Sequence, residues 1–507
     1  MDIFCIFGII EPMKSLSSSD REFFSRVQTS ALLNPFSEER LSSDASAVGM
    51  TQPPRDFSQL GELLDKLDRR LRAALGEGGA SLREYVADDA ALLEPGLLFL
   101  LFHRHREGLD RYIKAQSGQH GDPLPADCGA AIFADLRLRG LSVARAERFV
   151  AVFFQLRRAF YFIAKGLVGD CASMRALRVQ LWNAVFTSDS RLYLETLWNR
   201  MEDFSTLLLG ETGTGKGAAA MALGRSNYIP YVSSRRAFAE NFDNAFLSIN
   251  LSEFSEGLIE SELFGHKKGA FTGAVGDHAG IFSRCSRHGA IFLDEIGDVS
   301  ERVQIKLLQV LQQRVFSPVG GHEKLRFSGR IIAATNQDLS RRRAGGGFRN
   351  DFYYRLSSSH IELPTLRQRL AENEGELNLL LAEVVRRLLG EDNAELAGRI
   401  EEALRRDLPP DYAWPGNVRE LEQAARSVIL TGGYAAEAAA PTGAAKDPQL
   451  ARCLAGEMRL GELEAWYCGR LYDRLGSYGA VAARLGVDWR TVRQKIESAR
   501  GRKPATL

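Results

Sequence analysis

The chain has 507 residues, too many for one hydrophobic core, and the usual domain size divides it into about three or four units. Its 65 Lys and Arg offset 64 Asp and Glu to a formal net charge of +1, so no global field marks it for nucleic acid or a membrane and any basic surface is local. Six cysteines, Cys5, Cys128, Cys171, Cys285, Cys453 and Cys468, lie far apart without a CxxC pair or metal cluster, which favours a reduced, cytoplasmic setting.

The opening MDIFCIFGIIEP has a short apolar run with no basic stretch before it and no clear cleavage site after it. A signal peptide is therefore discounted, and Met13 is an alternative start. Residues 1–55 are expected to be a poorly ordered segment and linker, ending in LSSDASAVGMTQPP. Residues 56–173 read as a helical regulatory or sensor domain, because apolar residues recur at threes and fours in FSQLGELLDKLDRRLRAAL. No strands surround Asp88 and Asp89 to make a phosphoacceptor pocket, so they read as a solvated helix end. His103 and His105 are too few for a metal site and read as ordinary helix surface. FVAVFFQLRRAFYFIAKGLVG is interrupted by Gln155, Arg157, Arg158 and Lys165, which makes it a buried helix and not a membrane span.

From 174 to 430 short apolar strands alternate with amphipathic helices, the pattern of a parallel sheet covered on both faces. FSTLLLGETGTGKGAAAMALG reads as strand, glycine-rich loop and helix, the context of a phosphate-binding loop. Its residues are Gly210, Glu211, Thr212, Gly213, Thr214, Gly215, Lys216 and Gly217. The glycines let backbone N–H groups converge on phosphate oxygens, the helix adds its positive end, and Lys216 reaches the β- and γ-phosphates. Gly217 stands where a Ser or Thr hydroxyl usually meets Mg2+, so that ligand must come from elsewhere.

HGAIFLDEIGD supplies it: a second buried strand brings Asp294 and Glu295 to the same crevice. Asp294 is expected to hold Mg2+ through water, and Glu295 to orient and deprotonate the attacking water, so ATP hydrolysis is expected over binding alone. A third strand, GRIIAATNQDL, ends at Asn336, an amide suited to positioning that water. In FRNDFYYRL, Arg349 and Arg355 either neutralise γ-phosphoryl charge across a subunit boundary or are two surface arginines. YAWPGNVRELEQAARS turns at Pro415 and Gly416 into a helix whose Arg419 could reach bound nucleotide.

GHKKGAFTGAVGDHAG places Phe271 among glycines beside His266, Lys267 and Lys268. A plain hairpin turn is one reading and an exposed contact loop is the other. After a linker at 431–450, residues 451–507 read as three helices with turns at Gly476-Ser477 and Gly486-Val487. Val492 and Ile496 face inward on the third, which carries Arg490, Thr491, Arg493, Gln494 and Lys495. A helix-turn-helix on double-stranded DNA fits, with a small oligomerisation module as the alternative. Arg490, Arg493 and Gln494 are the base-contact candidates, with Arg500, Arg502 and Lys503 on phosphates.

Together GETGTGKG, ESELFGHKKGAFTGA, AIFLDEIGD, VQIKLLQVLQ, SPVGG, AATN, FRNDFYYRL and WPGNVRELE resemble, in order, the AAA+ ATPase domain of the sigma-54-dependent transcriptional activators. The resemblance implies a multidomain chain: an α-helical N-terminal region, an α/β AAA+ core at 174–362 with a helical lid at 363–430, and an all-α Fis-type helix-turn-helix at 451–507. It implies that Gly269, Ala270, Phe271, Thr272, Gly273 and Ala274 contact sigma-54. It assigns Lys216, Asp294, Glu295, Asn336, Arg349, Arg355 and Arg419 to phosphate, Mg2+, water, sensor and arginine-finger roles. A homo-oligomeric ring, usually a hexamer, would spend ATP to remodel sigma-54 RNA polymerase holoenzyme from an upstream DNA site. An AAA+ remodeller of another target and a non-hydrolysing DNA-bound scaffold are the rival readings. The family commonly has Glu where this chain has Gly217, and the run FTSDSRLYLETLWNRMEDFS before the phosphate-loop strand is longer than usual.

Overall fold

The computed structural model describes residues 13–50, 59–76, 82–435, 449, 452–453 and 456–500. Two compact units meet at Tyr434 and Ala435, and each is described by itself. Cys5, the opening segment, most of the 431–450 linker, Arg502 and Lys503 lie outside the described residues.

Among the described residues the first unit opens with eight α-helices: α1 (Ser18–Leu32), α2 (Glu38–Val48), α3 (Leu60–Leu75), α4 (Ala87–Arg104), α5 (Arg106–Gln116), α6 (Asp127–Leu138), α7 (Val143–Gly166) and α8 (Ala172–Phe186). Within the stretch 1–55 expected to be poorly ordered, α1 and α2 correct that expectation for residues 18–48, while 1–12 and 51–55 lie outside the described residues. Ser17 and Ser37 cap them by accepting from the N–H groups of Asp20 and Arg40. Phe23, Phe24 and Val27 of α1 are buried, each worth roughly 1.5–3 kcal/mol of transfer from water. Arg40 and Asp44 form a buried pair at 2.8 Å inside α2, with the guanidinium over the Phe99 ring.

Two further readings change. Asp89 is not a solvated helix end: it is 1% exposed, and its carboxylate accepts from Arg21 Nε at 2.6 Å and from the Leu16 N–H at 2.8 Å, fastening α1 to α4. His103 is not plain surface either. Its ring lies edge-on to Phe99 and Phe102, its Nδ1 is buried without a partner, and burial with nearby Arg40, Arg106 and Arg157 pushes its pKa down to about 3. The helix expected at 149–169 is α7, deeply buried, and no described helix is long and apolar enough to cross a membrane.

Five parallel strands follow: β1 (Thr206–Leu209), β2 (Phe246–Asn250), β3 (Ala290–Asp294), β4 (Arg330–Thr335) and β5 (Ser359–Glu362), in the spatial order β2-β3-β4-β1-β5. Leu209 pairs with Thr335 and Asn250 with Asp294, so the carboxyl ends of β1 to β4 share one edge. All six residues of β4 are buried, as a strand covered on both faces requires.

Alternate side chains serve opposite cores. Leu208 and Ile332 face the cluster that includes Phe154, Leu181, Ala219 and Phe24, whereas Leu207, Ile331 and Leu293 face α10 (Glu256–Phe264), α11 (Glu301–Gln313) and α12 (Asn350–Leu356). The N-terminal helices are thus one face of the sheet's own core and share it with α9 (Lys216–Gly224). The lid is α13 (Leu366–Glu372), α14 (Glu376–Leu389), α15 (Ala394–Asp407) and α16 (Asn417–Thr431).

The second unit holds α17 (Leu460–Leu475), α18 (Tyr478–Leu485) and α19 (Trp489–Arg500), around Cys468, Val481, Ala482, Val492 and Ile496. Gly476 and Gly486 end α17 and α18 with φ of 64° and 68°, at the expected turns.

Candidate functional site

β1 delivers the chain into the loop Gly210–Gly215, where Gly210, Gly213 and Gly215 have φ of 153°, 80° and 101°. A side chain would strain all three, and the carbonyl of Gly416 leaves no room for a Cβ on Gly213. α9 starts at Lys216, and its first-turn N–H groups open toward the carboxyl edge of the sheet. Lys216 Nζ donates to the carbonyls of Gly210 at 2.8 Å and Glu211 at 3.1 Å. Burial lowers its pKa, against the pull of Glu295 and Asp294.

β3 ends at Asp294, and Glu295 follows in a left-handed conformation with φ of 53°. The two carboxylates take different partners: Asp294 Oδ1 accepts from the N–H of Glu295 at 3.0 Å, and Glu295 Oε2 from the N–H of Asn336 at 3.3 Å. Burial raises the pKa of Glu295, partly opposed by that hydrogen bond and by Lys216. Asn336 Nδ2 donates to Thr212 Oγ1 at 2.9 Å. One residue therefore touches both the acid and the phosphate loop.

The lid closes on the same loop through residues that sequence reasoning did not single out. Asn417 is fully buried, with φ of 53°; its Nδ2 donates to the Thr212 carbonyl at 3.0 Å and to Glu211 Oε2 at 3.1 Å. Arg367 Nη1 donates to Glu211 Oε2 at 2.8 Å and holds that carboxylate below its usual pKa. The Glu211 side chain is thus a clamp to the lid, and it offers only its backbone to a phosphate. The signal for Asn417 was available, since it stands at the turn before a helix in WPGNVRE.

Part of this assembly lines a cavity of about 330 Å³. Thr212 to Gly217, Asp294, Glu295 and Arg419 make its polar part, while Leu167, Val168, Met174 and Leu177 from the N-terminal side and Leu380 and Val384 from the lid make an apolar part. The apolar part, suited to a flat base, was missed because its residues look like ordinary core positions. Gly217 faces open space, with nothing within 4 Å of a Cβ placed there. Arg349 and Arg355 are not brought to this cavity: Arg349 Nη1 donates to Glu301 at 2.9 Å and its Nη2 to Asp351 at 2.9 Å, and Arg355 Nε donates to the Leu311 carbonyl at 3.2 Å.

The 265–280 loop is built on a bridge between His266 and His278 and on the N–H of Gly269 donating to the Ala274 carbonyl at 2.8 Å. Gly269 and Gly273 have φ of 81° and 100°. Phe271 is not wholly unburied: it is 37% exposed and its ring lies edge-on to His266 at 4.9 Å. Thr272 is exposed, but Ala274 is 7% exposed and belongs to the base of the loop, and Val275, 87% exposed, is the apolar residue most open to a partner.

On α19, Arg490, Thr491, Arg493 and Gln494 are exposed and Val492 and Ile496 are buried. Lys495 instead reaches back to Glu464 of α17, away from a shared outer face. Trp489, 45% exposed at the start of the same helix, was not singled out.

Residues 193–362 match the model of the Sigma-54 interaction domain. The chain is 36% identical over 298 residues to the transcriptional regulatory protein ZraR of Salmonella typhimurium, covering 58% of this chain and 63% of that protein. It is 36% identical over 337 residues to ZraR of Klebsiella oxytoca, covering 65% of this chain and 68% of that one. It is 41% identical over 219 residues to the Nif-specific regulatory protein of Herbaspirillum seropedicae, covering 43% of this chain and 37% of that protein. The chain thus spans a little under two thirds of the length of the first of these relatives. With a parallel sheet that brings an acid pair to the same edge as a phosphate loop, a lid clamped to that loop, and this extent of shared sequence, the chain belongs to the family of transcriptional regulators built on the sigma-54 interaction domain.

Proposed function

We propose that the chain is an ATP-driven, DNA-bound activator of sigma-54 RNA polymerase. The observation that carries the hydrolytic part is the position of Asn336, whose N–H meets Glu295 and whose amide meets Thr212 of the phosphate loop. A water held by that amide lies in reach of the Glu295 carboxylate, which takes its proton as the water attacks the γ-phosphorus. Lys216 gives up the carbonyls of Gly210 and Glu211 for phosphate oxygens, and the first-turn N–H groups of α9 take the remainder.

The donor set fits magnesium as a hard cation bound by carboxylate, water and phosphate oxygen, with Asp294 as its protein ligand. Bound there, Mg2+ would offset phosphate charge. Thr214 Oγ1 is spent on the Glu211 carbonyl and Gly217 has no hydroxyl, so the phosphate loop adds little to that set. Arg349 and Arg355 lie away from their own chain's cavity, which supports a ring, hexameric in our reading, in which each subunit completes its neighbour's site.

In this reading Phe271 and Thr272 meet sigma-54, and Gly269 and Gly273 let the loop move. α18 and α19 act as a helix-turn-helix, with Arg490, Thr491, Arg493 and Gln494 toward DNA. The helices α1 to α8 are the regulatory part, and because α7 and α8 line the nucleotide cavity and share the sheet's core, they act on the site directly.

The test is open-complex formation by the full chain with purified sigma-54 polymerase on a template carrying an upstream site. Removing residues before Met174 would strip one face of the sheet, so truncation there is a poor probe. Opening with ATP and none with a non-hydrolysable analogue is expected. Brisk hydrolysis without opening would reassign the motor to another target.

A further inference from the structure

The long run FTSDSRLYLETLWNRMEDFS has no part in the activity proposed above, yet it encloses a second cavity. This cavity, of about 580 Å³, lies at the amino-terminal ends of β3 and β4, at the opposite edge of the sheet from the phosphate loop. Its size is that of a small-molecule site, which usually spans about 300–1,000 Å³.

Two features define what it would hold. The first is aromatic: Trp198 of the run meets Tyr228 edge-on at 4.7 Å between ring centres, and Tyr193, fully buried, stands behind them. Such rings present flat apolar faces with polar tips. The second is positive charge. Arg330 is 3% exposed, and its guanidinium donates to the carbonyls of Phe204 at 3.0 Å and Ala184 at 2.7 Å and to Thr206 Oγ1 at 3.0 Å. Those neutral acceptors pin the run to the sheet but leave the charge uncompensated, because no carboxylate pairs with Arg330 among the described residues. A buried cation without a counter-charge is costly. Arg287 and Arg326, exposed at the rim, also have no salt bridge among the described residues. Glu202 is the one acid in the lining, against three arginines.

We propose that this cavity binds a small organic anion carrying a flat ring, either a nucleoside monophosphate or an aromatic carboxylate. The ring packs against Trp198 and Tyr228, and the anion answers Arg330 and the rim arginines. The site adjoins the phosphate-loop helix, since Tyr193 donates to Gln155 Oε1 at 2.7 Å and Gln155 Nε2 to the Ser226 carbonyl at 2.9 Å, just past the end of α9. Binding here does not depend on the chain's hydrolysing ATP, so the failure of either proposal leaves the other standing.

The experiment uses the full chain carrying Lys216→Ala, which weakens nucleotide at the phosphate loop. Calorimetric titration takes AMP, GMP, CMP, UMP, benzoate and salicylate, with inorganic phosphate and acetate as ring-less controls. At least one ring-bearing probe binds with a Kd below about 1 mM, and the controls do not. Adding Arg287→Gln with Arg326→Gln weakens that binding at least about tenfold without lowering Tm. Response to the nucleotides or to the carboxylates identifies the source. Absence of binding by every ring-bearing probe, equal binding of inorganic phosphate, or the same Kd in the double arginine variant overturns the proposal.

Discussion

Arg158 of α7 donates from Nη2 to the carbonyl of Asn227 at 2.6 Å, and from Nη1 to that of Arg225 at 2.7 Å, just past the carboxyl end of α9. The guanidinium is fully buried over the Phe154 ring, and burial pushes its pKa down to about 9. A cation at a helix carboxyl end is favoured by the helix dipole, and this one joins the N-terminal helices to the helix that begins at Lys216. Arg158→Met strands two buried carbonyls and lowers the stability of the full chain by roughly 2–4 kcal/mol in chemical denaturation. Arg158→Lys does not restore it, because an ammonium cannot reproduce the planar fork. An unchanged midpoint in Arg158→Met would remove the link.

Glu295 gives a pH dependence with a definite sign. Its pKa is raised by burial, so the folded chain holds a proton there that the unfolded chain releases, and stability falls as pH rises from the ordinary carboxylate value through the raised one. Catalysis runs the other way, because the base works only when ionised: turnover rises with pH across that window. Glu295→Gln keeps ATP binding, abolishes turnover and removes this step from the stability profile. Retained turnover in the variant would free Glu295 of its role.

The open space at Gly217 predicts a gain. Its position is helical and unobstructed, so Gly217→Ser stabilises α9 by roughly 0.5–1 kcal/mol and adds a hydroxyl beside Lys216. ATP affinity measured with Mg2+ rises severalfold. In EDTA the affinity gain disappears while the Tm gain remains, which separates a metal ligand from a stiffer helix.

In the proposed function the 265–280 loop separates hydrolysis from its use. Thr272 is exposed, so Thr272→Ala changes stability by less than about 0.5 kcal/mol, whereas Phe271→Ala, which loses a partly covered ring edge-on to His266, costs roughly 0.5–1.5 kcal/mol. Both leave ATPase rates near wild type and abolish promoter opening. Normal opening by either variant would undo the loop assignment.

The phosphate loop, the acid pair and Asn336 were legible in the sequence because glycine spacing and apolar strands fix where polar residues emerge. The apolar half of the cavity was not, since Leu167 and Met174 are indistinguishable from core until the lid is in place. α2 was hidden by composition: SEERLSSDASAVG has few apolar residues, although Ser37 and Gly49 bracket it as caps and its buried Arg40–Asp44 pair replaces apolar contacts. Asp89 was misread because its partner, Arg21, is 68 residues away in sequence. Pairings of that range are set by packing that local periodicity does not contain.

The same distinction between spacing and packing bears on the proposed DNA contact. Five residues of α19 were grouped by sequence, but the structure divides them: Arg490 is exposed beside Trp489, whereas Lys495 is paired with Glu464 of α17. Arg490→Ala should therefore weaken binding to a specific duplex by roughly 1–3 kcal/mol if it reads a base edge. Lys495→Ala loses an exposed ion pair worth at most about 1 kcal/mol of stability and leaves DNA affinity near wild type. Fluorescence anisotropy across a salt series tests both. A shallower salt slope for Arg490→Ala with equal loss on all sequences would move it to a phosphate, and a larger loss for Lys495→Ala than for Arg490→Ala would reverse the face assigned to DNA.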